Sequence, residues 1–134
     1  MAAVTIRGKE FPLCLTVAAL DEINRKCGGI KRLSAFLNGE DGTGNEKNSV
    51  MICNTAWMLG LLIREGEENR LINARFDGQQ TERRAVPDEN VMVHYLNVQT
   101  ALRYRLAVLQ AVNESMRQDI EAEYEKNALS AGQK

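Results

Sequence analysis

The sequence predicts a mainly α-helical fold: about five helices in one domain, with a small N-terminal β-hairpin. Apolar residues recur at helical spacing over most of the chain. Helix-start and helix-stop residues bracket those runs. Strand-like alternation is confined to residues 3–15. The chain has 134 residues, 17 Lys+Arg, 18 Asp+Glu and one His, for a net charge of −1. One domain is the default at this length. With 44 % hydrophobic and 26 % charged residues, the mix is that of an ordinary globular chain. Wholesale disorder, a collagen-like fibre and a disulfide scaffold are excluded. A net charge this close to zero also argues against a protein built to sit on nucleic-acid phosphates.

Val4-Thr5-Ile6 alternates, Arg7-Gly8-Lys9-Glu10 reads as a turn, and Phe11, Leu13 and Leu15 alternate again. Pro12 cannot donate to a ladder, so its strand should be brief or at an edge. Thr16 to Cys27 predicts a helix. Thr16 is placed to cap it, Leu15 and Leu20 to staple its start, and Gly28-Gly29 to end it. Ile30, Leu33, Phe36 and Leu37 predict a second, short helix that stops at Asn38-Gly39. The two helices should form a corner. Glu40 to Asn45 reads as a polar, mobile loop.

A third helix is expected from Glu46 to Glu65. It is apolar nearly all round between Val50 and Ile63, so it should be the central helix. Gly60 within it costs about 1 kcal/mol against alanine, which a close helix–helix approach would explain. Gly66 to Arg84 reads as charged and irregular, with Leu71, Ile72 and Phe76 forming at most one helical turn or a short strand. Pro87-Asp88-Glu89 marks another helix start. The last helix is expected from Val98 to Tyr124. Its stripe runs through Leu102, Leu109, Val112, Met116 and Ile120, widened by Leu106 and Val108. The domain thus spans 1–125, and 126–134 is expected to be a flexible tail.

No residue pattern announces catalysis. There is no GxSxG, HExxH, P-loop or GxGxxG. The glycines from Gly39 to Gly44 lack the Gly-Lys-Ser/Thr that would hold a phosphate. Cys14, Cys27 and Cys53 form no CxxC, and His94 is the only histidine, so neither a zinc site nor any other metal or cofactor site is expected. The cysteines read as free, buried thiols in a reducing compartment. Glu67/Glu68 and Glu121/Glu123/Glu125 read as solvated carboxylates. The N-terminus has no apolar leader, so export is not expected. Val50 to Ile63 is shorter than the about 20 residues a membrane span needs.

Binding signals are stronger. A helix-turn-helix reading of residues 16–38 offers only Lys31, Arg32, Ser34 and Asn38 on its second helix. A recognition helix brings more, so nucleic acid is not the expected partner. Residues 1–38 carry six basic side chains against three acids, and residues 114–126 five acids against two bases. This asymmetry would support head-to-tail self-association, although two solvated faces is the plainer reading. Apolar and methionine side chains exceed what so short a chain obviously needs. Filling the core is the plainer reading of them; the functional one is a groove for a partner helix.

The first half of the chain carries a more specific pattern. Gly8, Lys9, Glu10, Phe11, Pro12 and Leu13 form a "GKEFPL" hairpin. Leu20, Glu22, Ile23, Lys26, Gly29, Ile30 and Leu33 follow in a helix pair, then Trp57, Leu61, Leu62, Ile63, Glu65 and Gly66 in a long apolar helix. The pattern covers residues 4–69 and resembles the tail assembly chaperones of long-tailed bacteriophages and prophages. Cys27 stands where that family often has an aromatic. The resemblance implies a non-enzymatic protein of the host bacterial cytoplasm that is absent from the mature virion. It implies binding to the helical tape measure protein and help for tail tube protein subunits polymerising around it. The family has no active-site residues to carry over. A client groove would be sought near Trp57, Met58, Leu61 and Leu62, and on the exposed side of the last helix around Tyr104 and Val108. The alternatives are a head–tail structural protein retained in the virion and a small DNA-binding regulator.

Overall fold

The computed structural model describes the backbone of residues 2–132 and the side chains of residues 2–117. Strand β1 (Ala3–Ile6) pairs antiparallel with β2 (Lys9–Pro12), setting Val4 opposite Phe11 and Ile6 opposite Lys9. Only Arg7 and Gly8 turn the chain, both at positive φ (53° and 79°), as a type I′ turn requires. The turn is tighter than the four residues read from the sequence, because Lys9 and Glu10 already pair with Ile6 and Thr5. Val4, Ile6 and Phe11 are buried. Beyond Pro12 the Leu13 N–H donates to the Ala2 carbonyl at 2.9 Å.

Helix α1 (Val17–Cys27) starts at Thr16, whose Oγ1 accepts the Ala19 N–H at 3.1 Å. It ends at Gly28 in the left-handed conformation, φ 89°. One 3₁₀ turn (Ile30–Arg32) leads into α2 (Leu33–Asn38), closed by Gly39. The following loop, expected to be mobile, is laced together. Asp41 accepts the Thr43 N–H at 3.0 Å and pairs with Lys47 at 3.1 Å, while Glu40 bridges to Glu46.

Helix α3 (Asn48–Phe76) is the centre of the fold. Met58, Leu59, Leu62 and Ile63 are sealed from solvent on several of its sides. Gly60 is where the next helix crosses: a Cβ there would stand 2.7 Å from the Glu89 nitrogen. Residues 66–76, read from the sequence as irregular, continue the helix. Gly66 is not a stop. It lets the end of β2 lie on the helix, and a Cβ would meet the Pro12 carbonyl oxygen at 2.0 Å.

After α3 an extended segment returns along its C-terminal half. Helix α4 (Glu89–Tyr95) begins at Asp88, whose carboxylate accepts the Val91 N–H at 2.9 Å. Helix α5 (Val98–Gly132) begins with a reciprocal cap. Thr100 N–H donates to Asn97 Oδ1 at 3.0 Å, and Asn97 N–H to Thr100 Oγ1 at 2.9 Å. The helix passes the expected end at Tyr124, so the tail expected from 126 is helical backbone as far as Gly132; residues 133 and 134 lie outside the described residues.

Two further expectations are corrected. The stripe that α5 buries runs through Ala101, Tyr104, Val108, Ala111 and Val112, whereas Leu102 and Leu106 of the expected stripe face outward. Ile120 lies outside the residues whose side chains are described. All three cysteines are free, but Cys53 is exposed rather than buried, and Cys14 and Cys27 are half-buried.

Candidate functional site

A surface cleft of about 380 Å³ opens between α1, α3 and the start of α4. Its wall is α3, which presents Trp57, Gly60, Leu61 and Arg64 at helical spacing. Trp57 is half-buried. Its ring packs edge-to-face on Phe36, centroids 5.8 Å apart at 84°, and Lys26 Nζ stands 5.8 Å from its centroid. Phe36 holds the ring orientation through the favourable T-shaped geometry. Pro87 and Asp88 form the opposite lip.

The rim carries Glu22, Arg64, Asp88 and Glu89. Arg64 bonds Glu22 of α1 and, at 3.3 Å, Glu65. Glu65 is itself buried and accepts the Thr16 hydroxyl at 2.5 Å. The cap of α1 is therefore tied directly to α3. Such pairs orient elements more than they stabilise them where the partners are exposed.

A second cluster lies farther along α3. Glu67, 2 % exposed, takes a bidentate fork from Arg70 (2.8 and 2.7 Å) and two bonds from Arg84, its backbone N–H at 2.5 Å and its Nε at 3.1 Å. Arg83 pairs with Glu68. The sequence reading placed both carboxylates on a solvated loop; Glu67 is instead buried, because the returning segment folds over it. The Arg70 hydrogen bonds, with those from Arg84, hold the Glu67 carboxyl down at about 2 against the burial that would raise it. Arg83 likewise lowers Glu68. Both carboxylates are tuned away from proton exchange near neutral pH, so the cluster reads as a clasp rather than an acid–base pair. Burial pushes the Cys14 thiol up, with Glu65 adding to the effect, which disfavours its thiolate. Among the described residues no group of three or more His, Cys, Asp and Glu is placed to hold a metal ion.

Of the six residues singled out for partner binding, the structure brings Trp57 and Leu61 together in the cleft. Met58 and Leu62 are fully buried core residues on α3. Tyr104 and Val108, expected on the exposed side of the last helix, are buried too. The Tyr104 hydroxyl donates to the Thr5 carbonyl at 3.1 Å, fastening α5 to the hairpin. The exposed side of α5 carries Val98, Leu102, Leu106 and Met116 instead. The signal for this second surface was present: α5 has more apolar residues than one buried stripe accommodates. On the corner, Lys31 and Arg32 fall in the 3₁₀ turn and α2 is six residues long, short for a groove-reading helix.

No protein-family profile, curated protein or solved structure matches this chain. No helix among the described residues is long and apolar enough to cross a membrane.

Proposed function

We propose that this chain is a phage tail assembly chaperone. It binds the helical tape measure protein in the host bacterial cytoplasm, assists polymerisation of the tail tube around it, and is not retained in the virion. One observation carries the reading. The three segments that hold the family-like pattern form a single packing unit. The end of β2 rests on Gly66, the cap of α1 bonds Glu65, and Asn54 of α3 donates to the Phe36 carbonyl at 2.8 Å. Pro12, Glu65 and Gly66 of the pattern take part in these contacts, with Thr16, Phe36 and Asn54 beside them, and Glu22, Trp57 and Leu61 of the pattern line the cleft. An apolar-walled cleft beside a charged rim suits one anchor side chain of an amphipathic helix. Weak anchoring repeated along a long client would supply avidity.

Co-expression with a long helical tape measure protein of a long-tailed phage tests the proposal. The client should remain soluble and co-purify. Trp57→Ala, or Asn90→Arg at the cleft mouth, should weaken co-purification about tenfold without loss of helical circular dichroism. A client that stays insoluble, or that binds both variants unchanged, contradicts the reading. Presence of the chain in purified virions would favour the structural-protein alternative.

A further inference from the structure

We propose that two copies of this chain pair through the outer face of α5, antiparallel, about a two-fold axis near Asn113. This pairing is independent of the client reading, which concerns the cleft of α1, α3 and α4. Leu102, Leu106, Leu109, Asn113 and Met116 follow one another at spacings of 4, 3, 4 and 3. That is a heptad seam of alternating a and d positions. Leu106 is 58 % exposed, Leu102 41 % and Met116 37 %, while Leu109 is half-buried at the edge of this face and touches the core. Tyr104 and Ala111, which α5 buries against the rest of the fold, lie on the other side of the helix. Residues 113–117, the part of α5 after Val112 whose side chains are described, include no buried residue.

Two features of the seam fit a second copy. Residues 98–113 contain no acid and two bases, the exposed Arg103 and the half-buried Arg105, which bonds Asn38 at 2.7 Å, whereas residues 114–126 carry five acids and two bases, a balance of −3. An antiparallel pair sets each basic stretch beside the acidic stretch of its counterpart. A parallel pair sets like beside like. Asn113 stands where the two stretches meet, so the axis brings it close to its own copy. A carboxamide can both donate to and accept from another carboxamide. A single polar a position of this kind fixes register and strand number at some expense of stability. The contact is isologous and closes on itself, so assembly stops at two.

Sedimentation equilibrium of the full chain from about 1 to 100 µM should show a species of twice the 15.0 kDa chain mass. Leu106→Glu, and separately Leu102→Gln, should raise the dissociation constant at least about tenfold with unchanged circular dichroism. Orientation is read by oxidative crosslinking in a Cys53→Ser background. Asn113→Cys, at the axis, should crosslink to its counterpart above that background, and Leu102→Cys, far from the axis, should not. A monomer at the highest concentration, a dimer indifferent to both seam variants, or self-crosslinking of Leu102→Cys would overturn the proposal.

Discussion

The two long helices of this protein use their apolar residues in opposite ways. Helix α3 turns Met58, Leu59, Leu62 and Ile63 into one sealed core and lets neighbouring backbone touch it at Gly60 and Gly66. Helix α5 buries Ala101, Tyr104, Val108 and Ala111 and leaves Leu102, Leu106 and Met116 in water. The first helix organises the fold. The second organises it with one face and keeps another for contact with something outside it. An exposed apolar stripe adds nothing to monomer stability, and a row of such residues marks an interaction surface.

The largest effect that separates the helices comes from truncating α3. Leu62→Ala removes a fully buried side chain. It should lower the free energy of unfolding by about 2–5 kcal/mol, measured by urea denaturation. A loss below about 1 kcal/mol would mean that the α3 core is looser than its burial implies. Acid should act next, through the Glu67 clasp. The folded carboxyl is held at about 2 against an ordinary value of 4.5, so the unfolded chain takes up its proton first as pH falls. The stabilisation is complete above pH 4.5 and is lost as pH drops toward 2. Its upper bound is about 3 kcal/mol, reduced by the partial exposure of Arg84 and Arg70. Glu67→Gln should flatten that part of the stability–pH curve; an unchanged acid slope would remove the clasp from the account.

The same contrast explains what could be read from the sequence. Elements fixed by local chemistry were legible: the hairpin, the Thr16 cap, the stops at Gly28 and Gly39, and the start at Asp88. Residues 66–76 were not, because what makes Gly66 necessary is the carbonyl of Pro12, distant in sequence. What makes the charges tolerable is Arg83 and Arg84 returning from beyond the helix. Periodicity found that α5 is amphipathic but could not say which stripe turns inward. That choice is made by the Tyr104 bond to Thr5 and by packing on α3. Hence Tyr104 and Val108 were sought on the outside, and Leu106 on the inside. Trp57 stays half-buried, with Leu61 buried beside it in the cleft wall, because their α3 face meets the short, capped start of α4 rather than another long helix.

The most direct test of this division of labour is the melting temperature of the native chain and of Leu106→Glu as protein concentration is varied. Pairing through α5 stabilises the folded state by mass action. The melting temperature of the native chain should therefore rise with concentration. That of Leu106→Glu should stay level, and the two should converge at the lowest concentration, because the monomer fold does not use this side chain. A native melting temperature independent of concentration, or a variant less stable by several degrees even at high dilution, would contradict the account.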